Sequence, residues 1–279
     1  MALQEARLKS DRIEAALVAA LAGEPPEPFF DLVDRTSGMP GPRPHTDVLR
    51  AFGLRIASEG KRGGVLRELL LEQDKLSLLY VGTMALSAAA EKADEKRCLT
   101  QLVALADEPL KERRDTVIDA LVFVLAARGD EAARFITPLA DGYLHAFVVL
   151  EALTTRKVLD KLTDADSVLT MLGDAFKLAD EAPRAAGRSQ GLRVLRSGLP
   201  IQIVKCAARF RETLPWIEER LETPRPETRE VLAATVSGLR KLLGDAETDR
   251  YRARYDTGAK PPRDPTRKIK GMRNRSKGR

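Results

Sequence analysis

The chain of 279 residues is 43% hydrophobic and 5% aromatic, so a folded body with aliphatic packing is expected. Its two cysteines, Cys98 and Cys206, lie far apart in apolar stretches; they exclude a disulfide framework and are expected to be buried, reduced thiols. The net charge of +6 is uneven: of 47 Lys and Arg and 41 Asp and Glu, residues 250–279 hold 12 bases and two acids, which leaves 35 bases against 39 acids in the rest.

From Met1 to Gly23, Glu5, Arg7, Lys9, Asp11, Arg12 and Glu14 interrupt the apolar residues, so no signal peptide is expected and the location read from the sequence is cytoplasmic. The Gly-Pro segment Gly38 to Pro44 ends an N-terminal unit of capping helices, residues 1–44, and His45 opens a helical body, residues 45–249. Gly60-Lys-Arg-Gly-Gly64 neither follows a strand nor forms a phosphate-loop pattern, and reads as a plain loop, with a helix N-terminus that binds an anion through Lys61, Arg62 and free amides as the alternative. Leu76 to Ala90 is the longest uncharged run; it is shorter than the ~18 residues a membrane span needs and reads as a buried core helix.

Lys111 to Arg128 is the next helix, with Val117, Ile118, Leu121, Val122 and Leu125 on one apolar stripe and Gly129 as its stop. Asp130 is placed to cap the following helix, so the two are antiparallel neighbours. Breaks recur near Gly23, Gly60, Asp94, Gly129, Thr163 and Gly198, at intervals of 34 to 37 residues, with further interruptions midway. One helical hairpin per interval is the size of an α-solenoid repeat. In segments such as Thr116 to Asp130 the chain resembles the HEAT and armadillo-like family, over residues 45–244. The fold class this implies is all-α, an α-solenoid of about six stacked hairpins; an irregular helical bundle is the alternative.

His45 and His145 are the only histidines and have no partner at metal-ligand spacing, so neither a metal nor a cofactor is expected. Ala182 to Arg211 carries seven bases and no acid; Arg193 with Arg196, and Lys205 with Arg209, are at spacings that share a helix face. Within it, Gly198 to Lys205 looks locally strand-like, although a helix starting at Pro200 explains it as well. The sole tryptophan, Trp216, reads as packing against Leu214, Ile217 or Leu221, and Asp119 and Asp141 as generic helix acids. HEAT-like DNA alkylation-repair glycosylases use a basic concave face lined by aromatics, which this chain lacks, so no enzyme is expected.

After Pro226, Leu232, Val236, Leu239 and Leu243 mark a helix closed by Gly244. Residues 250–279 read as a mostly disordered basic tail, in which Tyr251 and Tyr255, four apart, extend the last helix to about Asp256 and disorder follows; Tyr251-Arg-Ala-Arg-Tyr255 is suited either to base stacking or to docking that helix. The expected function is non-enzymatic binding of a polyanion, RNA or DNA, through phosphate contacts. The residues assigned to it are Arg188, Arg193, Arg196, Lys205 and Arg209 in the body and Arg267, Lys268, Lys270, Arg273, Arg275 and Lys277 in the tail. A protein partner on the solenoid surface is the alternative, and an internal contact between tail and acidic body a third reading; no membrane partner is expected.

Overall fold

A computed structural model describes residues 2–92, 95–223 and 226–257. The expected disorder of the tail and its binding residues Arg267, Lys268, Lys270, Arg273, Arg275 and Lys277 lie outside the described residues, as does the break at Asp94.

The described residues form α-helices and short 3-10 turns, with no strand among them. In chain order the helices are α1 (Ala2–Leu21), α2 (Glu27–Ser37), α3 (Thr46–Ala57), α4 (Gly60–Leu71), α5 (Leu76–Lys92), α6 (Glu95–Ala104), α7 (Lys111–Arg128) and α8 (Asp130–Ile136). They continue as α9 (Tyr143–Leu153), α10 (Arg156–Leu159), α11 (Asp166–Asp180), α12 (Gln190–Arg209), α13 (Thr213–Glu218), α14 (Pro226–Leu243) and α15 (Asp245–Thr257).

Helix α5 is apolar on nearly every side, and Leu78, Tyr80, Val81, Met84 and Leu86 are buried because α2, α3, α4, α6 and α7 all pack on it. Helices α3, α5, α7, α9, α12 and α14 form a row in which each packs on the next. Paired residues give the direction. Tyr80 of α5 meets Asp119 of α7 while Ala90 meets Arg128. Leu144 of α9 meets Gly191 of α12 while Glu151 meets Lys205. Residue numbers rise together in both pairs, so these neighbours run parallel, and the intervening helices carry the chain back. On the return side Gln101 of α6 donates to Glu68 of α4 and Thr163 donates to Asp130, both across 33 residues.

Several turns lie at the expected glycines: Gly23, Gly60, Gly129 and Gly244 all have positive φ, where a side chain would be strained. Gly198 does not. It sits buried inside α12, and a Cβ there would stand 2.6 Å from the Phe147 ring, so close approach of α9 explains the glycine. The strand-like segment and the helix start at Pro200 fall with it, since Pro200 is interior to α12. Gly60 to Gly64 is the first turn of α4 and not a loop, with Gly63 against the Ile56 carbonyl. Asp130 makes no side-chain cap; its carboxylate accepts from the Thr163 amide at 3.1 Å and from the Thr163 hydroxyl.

Candidate anion-binding surface

Pro183 and the 3-10 turn Arg184–Arg188 lead into α12, whose N-cap Ser189 accepts a hydrogen bond from the Leu192 amide at 3.2 Å. This start fixes where every base of the cluster points along α12. Arg184, Arg188 and Arg193 are exposed and make no ion pair among the described residues. Arg196 is half-buried and donates through Nη2 to the Ala179 carbonyl at 2.7 Å, in the last turn of α11. Its Nε is buried without a partner.

Toward the other end of α12, Lys205 Nζ is 2.7 Å from the Glu151 carboxylate of α9. Arg209 donates through Nε to Leu159 O at 3.1 Å and through Nη2 to Leu162 O at 3.2 Å, and its guanidinium lies 4.9 Å from the Phe210 ring centroid. Arg193 and Lys205 are separated by about 18 Å of helix rise, at 1.5 Å per residue. The cluster therefore divides. Arg193 and Arg196 line a groove with Glu227 and Glu230 of α14. Lys205 and Arg209 line a separate groove with Arg156, a base outside the cluster that spacing along one helix does not reveal.

The last helix runs into the basic segment and ends at Thr257, where the sequence places its end at about Asp256. Arg250 lies inside α15, and Tyr251 is only 2% exposed, with its hydroxyl donating to Glu218 of α13 at 2.8 Å. Arg250 and Arg254 reach the same carboxylate at 3.5 and 3.3 Å. Tyr251 is thus a docking residue, and its buried ring is closed to base stacking. Helix α15 packs back along α14 from the Gly244 turn, so its C-terminal end lies toward the N-terminus of α14, where Arg254 also meets Glu222 at 3.5 Å.

A third groove escaped the sequence. Met39, Pro40 and Pro44 of the Gly-Pro loop cover one side, and Glu112, Asp115 and Asp119 of α7 line the other. Partial desolvation raises the Asp119 pKa above its ordinary 3.8, against the opposing pull of Arg50 and of the Tyr80 hydroxyl, 3.4 Å away. Asp119 reads from sequence as a generic acid because its partners come from α3 and α5.

No group of three or more His, Cys, Asp or Glu among the described residues is arranged to hold a metal ion. Burial pushes the Cys206 thiol up to about 11, against a hydrogen-bonding contact with Thr213, which leaves it a poor nucleophile. Trp216 packs edge-on to Phe176 at 5.6 Å, with the Arg220 guanidinium 4.1 Å over it, an arrangement the sequence expectation of aliphatic neighbours did not include. No helix among the described residues is long and apolar enough to cross a membrane. No protein-family model, curated protein or solved structure matches the chain.

Proposed function

We propose that the chain is a cytoplasmic, non-enzymatic α-solenoid of HEAT-like hairpins that binds a polyanion, RNA or DNA, through phosphate contacts. The parallel pairs α5–α7 and α9–α12 within one row, and the repeated 33-residue offset on the return side, support the solenoid reading, because stacked repeats meet at equivalent positions.

The observation that carries the functional reading is the position of the tail's root. Helix α15 is held at Glu218 and Glu222, toward the end of α14 at which Arg193 shares a groove with Glu227. The exposed, unpaired Arg184, Arg188 and Arg193 belong to that same end of α12. Residues 258–279, which follow α15 in the chain, carry nine bases and one acid. Such a concentration of like charge attracts a polyanion over the screening length of ~8 to 10 Å, and phosphate contacts position a chain without reading its sequence. Material bound in cells should be lost when the extract is treated with nuclease. Partners that persist after nuclease, in the full chain and in one ending at Thr257 alike, would contradict this reading.

A specific feature favours a protein partner as the second reading. Val65, 66% exposed, and Leu69 line an apolar groove between α4 and the turn after α1. The same nuclease comparison separates the two.

A further inference from the structure

We propose that the groove between α10 and the C-terminal turns of α12 is a phosphate subsite for a phosphorylated ligand that also carries a flat face able to lie on an apolar surface, as the base of a nucleotide does. The groove encloses about 430 Å³, and its lining carries Arg156, Lys205 and Arg209 against the single carboxylate of Asp160. Leu159 and Ala208 supply an apolar floor beside these cations. A cavity of this size with few polar groups and an excess of one charge has the make-up of a small-ligand site.

Arg209 carries the argument. Its Nε and Nη2 are held by the neutral carbonyls of Leu159 and Leu162, and no carboxylate among the described residues pairs with it. No carboxylate offsets its charge there; the Nε–Nη2 edge is taken up by the two carbonyls, which fixes the guanidinium plane, and Nη1 has no protein acceptor among the described residues. Preorientation of this kind removes much of the ordering entropy of binding, and Nη1 is left to donate a charge-assisted hydrogen bond to a phosphate oxygen. Arg156 is 96% exposed and only 3.8 Å from Asp160, so it is free to turn onto a bound anion. Lys205 stands at the rim in an ion pair with Glu151 at 2.7 Å.

The phosphate has two possible sources, a nucleic-acid backbone or a free nucleotide. The first rests on the polyanion reading above, and the second stands without it. The full chain is titrated by nuclear magnetic resonance or calorimetry with adenosine monophosphate, inorganic phosphate and adenosine at up to about 10 mM, and separately with duplex RNA and DNA. Saturable binding of the monophosphate but not of adenosine is expected. Arg209→Gln and Arg156→Gln should each weaken it on the order of 10-fold, and Arg211→Gln, an exposed neighbour outside the groove, should not. Since Arg209→Gln also removes the tie to α10, the exposed Arg156→Gln keeps the test independent of folding.

If duplex displaces the monophosphate and the same two variants weaken duplex affinity, the source is the backbone; if duplex binding is unchanged, it is the free nucleotide. Failure of the duplex to bind at all overturns the polyanion reading and leaves the subsite standing on the monophosphate titration. Absence of saturable monophosphate binding, or binding that Arg156→Gln retains in full, overturns the subsite.

Discussion

A Cβ at Gly198 would stand 2.6 Å from the Phe147 ring, so α9 and α12 approach there at a distance that only glycine permits. Gly198→Val should therefore destabilise the fold by about 1–3 kcal/mol, the usual range for overpacking, and lower the urea midpoint without changing the slope. Gly187→Ala, where a Cβ meets nothing within 4 Å, should stay within about 0.5 kcal/mol of the parent. In the sequence Gly198 reads as a turn because glycine near proline breaks helices more often than it spaces them. The reason for it lies on another helix, 51 residues earlier at Phe147, and nothing local points there. Gly129 and Gly244 were legible because their reason is local: positive φ at the end of an apolar period.

Links between elements pass through a few carboxylates. Burial acts to raise the pKa of Asp34, Glu68 and Asp130, but hydrogen bonds outweigh it: Ser77 and Lys75 on Asp34, Gln101 and Arg67 on Glu68, and the side chain and amide of Thr163 on Asp130. All three are held below ordinary values of 3.8 for Asp and 4.5 for Glu. A depressed folded pKa gives stability that is present above the unfolded value and lost as pH falls through the folded one. Thermal stability should thus decline as pH drops below about 4.5, and Asp130→Asn should flatten that decline. A stability constant from pH 5 to pH 2 would contradict the assignment. Helix α15 depends on Glu218, which receives Tyr251, Arg250 and Arg254. Glu218→Gln should cost about 1 kcal/mol, discounted for its partial exposure, and should speed amide exchange through α15 before the rest of the chain. Unchanged exchange in α15 would show that its packing on α14 suffices. The bounds of α7 and α14 were legible from apolar stripes of period 3.6 that stop at Gly129 and Gly244. The continuity of α12 was not, because Pro200 and Gly198 oppose helix locally and packing against both α9 and α14 overrides them.

At the scale of the molecule, charge was legible as an amount and a place in the chain, and only partly as a surface. The seven bases of Ala182 to Arg211 share one stretch of sequence. Folding leaves Arg184, Arg188 and Arg193 free at one end of α12, ties Arg196 to the Ala179 carbonyl, and turns Lys205 and Arg209 toward α9 and α10. Spacing fixes angles on one helix and says nothing of which neighbour each side will meet. If the tail and the free arginines bind phosphates together, a chain ending at Thr257 keeps every described helix and loses nine bases. The most direct measurement is the affinity of the full chain and of that shortened chain for duplex RNA or DNA across a salt series. With about six phosphates neutralised, log affinity of the full chain should fall against log salt with a slope of roughly −5, and the shortened chain should lose most of that slope while base sequence matters little. A full chain that binds neither duplex at about 50 mM salt, where phosphate contacts are strongest, would contradict the account.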